Sequence, residues 1–146
     1  MTDAKYFHKL SDVETILVGV DLSQESKELV KEAQWLSKIW GAELVLINVR
    51  PLVVQGEGGF GTPTLWDEDL DEAKREIRRF YMVADLGIKV EVRFGDAAKE
   101  INVLSAEYSN PLVLVAHSRK STWEKILSGS ASKDLATKSR APVLIF

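Results

Sequence analysis

The segment 116–132, AHSRKSTWEKILSGSAS, gathers the residue types in this chain best suited to handling a charged ligand. It joins an apolar run, Pro111 to His117, to a Gly129-Ser130 step that can open a helix. A strand-to-helix junction of this kind binds phosphate, because free backbone N–H groups and the helix dipole both face the anion. Arg119 offers a guanidinium fork able to grip a phosphate at two points, although with Lys120 it reads equally as solvated loop charge. His117 and Ser118 supply a base and a hydroxyl. Neighbours on an extended segment point to opposite faces, so their adjacency argues against a Ser–His dyad. No Gly-x-Ser-x-Gly elbow occurs. Trp123, Ile126 and Leu127 fall at helical spacing and read as a packed turn rather than a ligand platform.

Three other constellations carry chemistry on paper. Asp21 ends an apolar run just before a helix cap, where a carboxylate could hold Mg²⁺ or order a phosphate-binding rim. It could equally bond local backbone amides as a turn residue. Gly56-Glu57-Gly58-Gly59-Phe60-Gly61 formally matches G-x-G-x-x-G, yet Pro63 and several more residues separate it from the next helix. The dinucleotide fingerprint needs its glycines at the strand-to-helix turn itself, so this stretch reads as a loop or lid, with Phe60 or Trp66 as an apolar cover. Asp67-x-Asp69-x-Asp71 begins like a calcium loop, but Glu72 and Arg78 stand where glycine and a bidentate glutamate are required. Those acids read instead as negative charge at a helix N-terminus.

Composition narrows the classes. The 146 residues fit one domain, 1–146, with 45% apolar and 28% charged side chains, as in ordinary globular proteins. A net charge of −3 gives no electrostatic case for nucleic acid or an anionic membrane. The absence of cysteine excludes disulfides, thiol nucleophiles and Cys-based metal sites, and His8 and His117 are too few for a His-rich one. No stretch approaches the roughly 18 apolar residues of a membrane span, and residues 1–13 read as a polar extension without a signal's apolar core. A cytoplasmic protein is the expectation.

The elements that must position these residues follow from periodicity. Residues 15–21, 42–51 and 111–117 read as buried strands, 88–96 as an alternating strand at an edge or with one partly solvated face, and PVLIF as the last strand. Between them, Ser23 caps a helix whose apolar face runs through Leu29, Val30, Ala33, Leu36, Ile39 and Trp40 to a stop at Gly41. A second helix starts at Asp67 and carries Leu70, Ala73, Ile77, Phe80, Tyr81 and Ala84 towards Gly87. A third spans Ala97 to Tyr108, and a last one lies near residues 130–139. Residues 52–66, rich in glycine, read as a mobile loop. Apolar strands alternating with amphipathic helices predict an α/β domain: a five-stranded parallel sheet covered by helices on both faces. Its ligands would sit beyond the strands' carboxyl ends, on a rim shared by Asp21, Val49, Arg50 and the 116–119 turn.

The chain resembles the universal stress proteins over nearly its whole length, Thr15 to Phe146. The resemblance rests on the element order, on Val18-Gly19-Val20-Asp21-x-Ser23, and on the 116–130 segment. The nucleotide-binding branch of that family carries Gly-x-x-Gly, nine residues, then Gly-Ser or Gly-Thr. Here Ala116-x-x-Arg119 is followed by nine residues and Gly129-Ser130. The resemblance implies a Rossmann-like fold of the adenine nucleotide alpha hydrolase type and a homodimer paired through the C-terminal strand. It also implies that Asp21 and Val49 line an adenosine pocket, that Val115 and Ala116 flank base and ribose, and that Gly129, Ser130, Ala131 and Ser132 face the phosphates. ATP or AMP with Mg²⁺ is the implied ligand.

Arg119 in place of glycine costs about 1–2 kcal/mol if the position is left-handed. Its charge-assisted hydrogen bonds to a phosphate would return about 1.5–3 kcal/mol each. Family members without these glycines resemble the branch that does not hold ATP. The expectation is therefore a cytoplasmic homodimer acting in stress response by binding and signalling through an unidentified protein partner, with weak or no ATP binding and no tightly bound cofactor. An ATP- or AMP-binding switch with slow hydrolysis or autophosphorylation is the alternative. A small hydrolase or transferase is a distant third.

Overall fold

The computed structural model describes residues 10–51, 67–83, 87–116 and 141–146. A turn of 3-10 helix (Leu10–Asp12) leads into β1 (Thr15–Gly19), α1 (Gln24–Trp40), β2 (Glu43–Arg50), α2 (Asp67–Tyr81), β3 (Lys89–Phe94), α3 (Ala97–Ser105), β4 (Pro111–Val115) and β5 (Val143–Ile145). The strands form one five-stranded sheet in the order β3-β2-β1-β4-β5, and every pairing is parallel. Gly19 stands opposite Ile47 on one side and Val115 on the other, so β1 and β4 end level while β2 runs on to Arg50.

The sheet separates two apolar layers, as the alternation of side chains along a strand requires. Ile16, Val18, Val20, Leu44, Leu46, Leu112 and Leu114 meet Leu29, Val30 and Ala33 of α1 and Ala73, Ile77 and Tyr81 of α2. On the opposite face Leu17, Val45, Ile47, Val113 and Val115 pack on Ala97, Ala98, Ile101 and Leu104 of α3. The central strand β1 is buried throughout, whereas β3, which alternates in sequence, lies at an edge and alternates in burial. That contrast is expected, because only the inner strands of a parallel sheet are covered on both faces.

The helix boundaries follow local chemistry. The Ser23 hydroxyl accepts from the Ser26 amide to start α1, and Gly41 ends it in the left-handed conformation at φ 63°. Asp96 caps α3 through the Lys99 amide. The structure corrects the expected end of α2. Its apolar stripe was traced to Ala84 and Gly87, but the helix stops at Tyr81. Met82 takes φ 57°, the Met82 amide donates to the Arg79 carbonyl and the Val83 amide to the Arg78 carbonyl. This is a Schellman closure built without glycine, so the sequence carries no marker for it. The strands are also two or three residues shorter than their apolar runs.

The order of strands creates one switch point. From β1 the chain steps outward to β2 and β3, then crosses to β4 on the other side of β1. In an open parallel sheet, ligands characteristically bind at such a reversal of strand order, beyond the strands' carboxyl ends. The segments 52–66 and 130–139, read as a glycine-rich loop and a last helix, lie outside the described residues, as do residues 1–9.

Candidate functional site

Asp21 lies in the β1–α1 turn, two residues past the end of β1, and stands at that switch point. Its Oδ1 accepts from the Ser23 amide at 3.0 Å and from the Ser23 hydroxyl in a very short contact. Oδ2 of the same carboxylate is buried and has no hydrogen-bond partner among the described residues. The turn reading of Asp21 is carried by Oδ1, and Oδ2 takes no part in it. A buried carboxylate oxygen without a donor costs free energy until one is supplied.

The turn is strained. Leu22 sits at φ 61°, in the left-handed region, which costs a non-glycine residue about 1–2 kcal/mol. Its amide donates to the Tyr81 hydroxyl of α2 at 2.9 Å, and that hydroxyl also lies 2.6 Å from Ser26 Oγ. Ser26 Oγ in turn donates to the Ser23 carbonyl at 2.9 Å. Tyr81 and Ser26 are only 5% and 1% exposed, so these hydroxyls have no recourse to water. Burial raises the Tyr81 phenol from 10.0 to about 12, more than the Ser26 and Leu22 hydrogen bonds lower it, with Asp21's charge adding to the rise. The phenol therefore stays protonated throughout the neutral range.

A second tie joins β1 to β2. Asn48 is the one polar residue in an otherwise apolar stretch of β2 and is 6% exposed. Its Nδ2 donates to the Val20 carbonyl at 2.7 Å, and its Oδ1 accepts from Arg50 Nε at 3.0 Å. Arg50 then reaches Glu76 of α2 at 3.0 Å. Val20 has its own amide bonded to the Ile47 carbonyl. The residue preceding Asp21 is therefore held at both its amide and its carbonyl.

The structure places Asp21, Val49, Arg50 and Ala116 at or just past the carboxyl ends of β1, β2 and β4. The side chains of Val49 and Val115 are 8% and 0% exposed and belong to the layer under α3, while Ala116, 5% exposed, joins the other layer. At the rim these positions offer mainly backbone, and the Val115 carbonyl already accepts from the Phe146 amide at 2.8 Å. His117, Arg119, Gly129, Ser130, Ala131 and Ser132 lie outside the described residues. Asn48 and Tyr81 were not among the sequence candidates. An uncompensated amide inside ELVLINVR was a usable signal for Asn48; Tyr81 gave none beyond its place in the apolar stripe. A cavity of about 220 Å³ lined by Gln34, Ser37, Lys38, Leu44 and Ile88 lies near the start of β2, at the other end of the sheet. Among the described residues no cluster of acids and histidines is arranged for a metal, and no helix is long and apolar enough to cross a membrane.

A model of the universal stress protein family matches residues 13–146. Universal stress protein MJ0531 of Methanocaldococcus jannaschii is 27% identical over 137 residues, spanning 89% of this chain and 79% of that protein. A universal stress protein solved in complex with cAMP superposes with a TM-score of 0.63 at 23% identity, over 92% of this chain and 97% of that one. The universal stress protein from Archaeoglobus fulgidus in complex with dAMP gives 0.53 at 18% identity, over 92% and 98% of the two chains. At such identities the solved structures establish a shared fold.

Proposed function

This chain belongs to the universal stress protein family, and from that premise we propose that it acts in stress response by binding an adenine nucleotide weakly, as a cytoplasmic homodimer, rather than by turnover. The observation that carries the ligand reading is the buried, donor-less Oδ2 of Asp21 at the switch point. An adenine amine or a ribose hydroxyl would satisfy it, and a donor ordered there offsets the desolvation of that oxygen. Two relatives of the same fold were solved with cAMP and dAMP, both adenine monophosphates. The backbone ends of β2 and β4, rather than the valine side chains, would flank the ring. Gly129 and Ser130 retain the spacing of a phosphate-binding step, while Ala116 and Arg119 replace the glycines expected before it. The nucleoside end is thus the better-built half, and the phosphate end adds little.

The dimer reading draws on β5. It closes one edge of the sheet, and Leu144, Ile145 and Phe146 are 48%, 53% and 63% exposed. An open apolar edge is a template for pairing with a second strand.

Calorimetric titration with adenosine, AMP and ATP tests the ligand reading. ATP should bind no more than about tenfold tighter than AMP, the equivalent of one hydrogen bond. Arg119→Gly should strengthen ATP and leave adenosine unchanged. ATP affinity that is tight, Mg²⁺-dependent and unmatched by AMP would overturn the proposal in favour of an ATP-driven switch. Silence towards all three at about millimolar concentration would remove the nucleotide altogether.

A further inference from the structure

We propose that Tyr81 is a positioning residue of the rim: its hydroxyl, delivered from α2, holds the β1–α1 turn in the left-handed conformation that leaves Asp21 one carboxylate oxygen for a ligand. The inference rests on the nucleotide reading above and names the group that prepares its site.

The proton assignment in this cluster has a single solution. The Ser23 hydroxyl donates to Asp21 Oδ1 and accepts from the Ser26 amide. The Ser26 hydroxyl donates to the Ser23 carbonyl. The contact between Ser26 and Tyr81 must then use the Tyr81 proton, and the Tyr81 oxygen is left to accept from the Leu22 amide. Leu22 N–H, Tyr81 O–H, Ser26 O–H and the Ser23 carbonyl form one directed chain, each link polarising the next. Every hydroxyl of the turn is consumed, and among the described residues its one buried side-chain acceptor without a partner is Asp21 Oδ2.

The ring that carries this hydroxyl is itself immobilised. Ala73, Ile77 and Tyr81 recur at helical spacing and are 3%, 0% and 5% exposed against the sheet. Phe80 meets the Tyr81 ring edge-on at 4.8 Å and 77°, and Lys27 of α1 lies over Phe80 at 5.1 Å. A phenylalanine and an alanine would pack this α1–α2 seam as well as Tyr81 and Ser26 do, without two buried hydroxyls. What the polar pair adds is a bond to the amide of a residue whose own backbone preference opposes its conformation. Asp21 directly precedes that residue, so release of Leu22 changes where the carboxylate sits.

The experiment uses the whole chain, wild type and Tyr81→Phe, which keeps the ring and removes only the oxygen. Amide hydrogen exchange by NMR reads the turn, and AMP titration reads the site, each also in an Asp21→Asn background that keeps an acceptor for Ser23. Tyr81→Phe should speed exchange at Leu22 about tenfold while Ile77 and Leu46 stay protected. It should weaken AMP about tenfold in the wild-type background and hardly at all beside Asp21→Asn. Unchanged exchange at Leu22 overturns the proposal. So does an AMP loss of equal size in both backgrounds, which would make Tyr81 a packing residue only. A wild type that takes up no AMP removes the nucleotide reading and the site half with it; exchange at Leu22 then still decides whether the hydroxyl holds the turn.

Discussion

Alkaline titration of Tyr81 tests the buried hydroxyl chain through stability alone, with no ligand required. The phenol is 5% exposed, and burial is the largest cause of its rise from 10.0 to about 12 in the folded protein. In the unfolded chain it titrates near 10. The folded pKa is the higher one, so its contribution to stability is complete below about pH 10 and disappears as the pH rises through about 12. Two units correspond to about 2.7 kcal/mol, of which about 1.4 kcal/mol is already lost at pH ~11. Tyr81→Phe has no such term, but lacks the hydrogen bonds to Leu22 and Ser26, at a cost of roughly 1–2 kcal/mol near neutrality. Urea unfolding of both proteins between about pH 8 and pH 11 should therefore show wild type the more stable at first, with the gap closing almost completely by the top of the range. A gap that stays constant or widens with pH would refute the reasoning. An absorbance step from all tyrosinates near pH ~10 in the folded protein would refute it independently.

Replacing Asn48 with leucine should destabilise the fold by about 1–3 kcal/mol in urea unfolding, because the Val20 carbonyl and Arg50 Nε lose their partner; a neutral result would mean water replaces the amide. Met82→Gly should stabilise by up to about 1 kcal/mol, since Met82 is 77% exposed and held at φ 57° by the helix closure. A lower thermal midpoint for that variant would show that the methionine side chain contributes more than its backbone strain costs. Lysine at both Leu144 and Ile145 should halve the mass seen by light scattering at micromolar concentration, since charge on an edge strand blocks pairing. A wild type already monomeric under those conditions would refute the edge-to-edge dimer.

Much of the fold was legible because its signals are local. The apolar runs of β1, β2 and β4, the Ser23 cap, the Gly41 stop and the alternation of β3 each act over a few residues, and each appears where the pattern put it. The closure of α2 was not legible, because left-handed Met82 does the work usually left to glycine. Asp21 and the ends of β2 and β4 could be placed on one rim from strand order alone. The partners that shape the rim could not, since Asn48 reaches Val20 across 28 positions and Tyr81 reaches Leu22 across 59.

By itself the sequence determined the class of molecule: a parallel α/β sheet, no cysteine chemistry, and a carboxylate at the end of its first strand followed by a serine cap. Periodicity and capping are properties of neighbouring residues, so no tertiary contact is needed to read them. Only the tertiary structure decided which oxygen of that carboxylate is engaged. Packing α2 on the sheet brings the Tyr81 hydroxyl to an amide that its own strained backbone would otherwise release, and pairing β2 with β1 brings Asn48 to the carbonyl just before Asp21. With those groups satisfied, one oxygen of Asp21 is left without a partner among the described residues. A leftover acceptor is defined by every donor around it being already engaged, and that count exists only once the chain has folded.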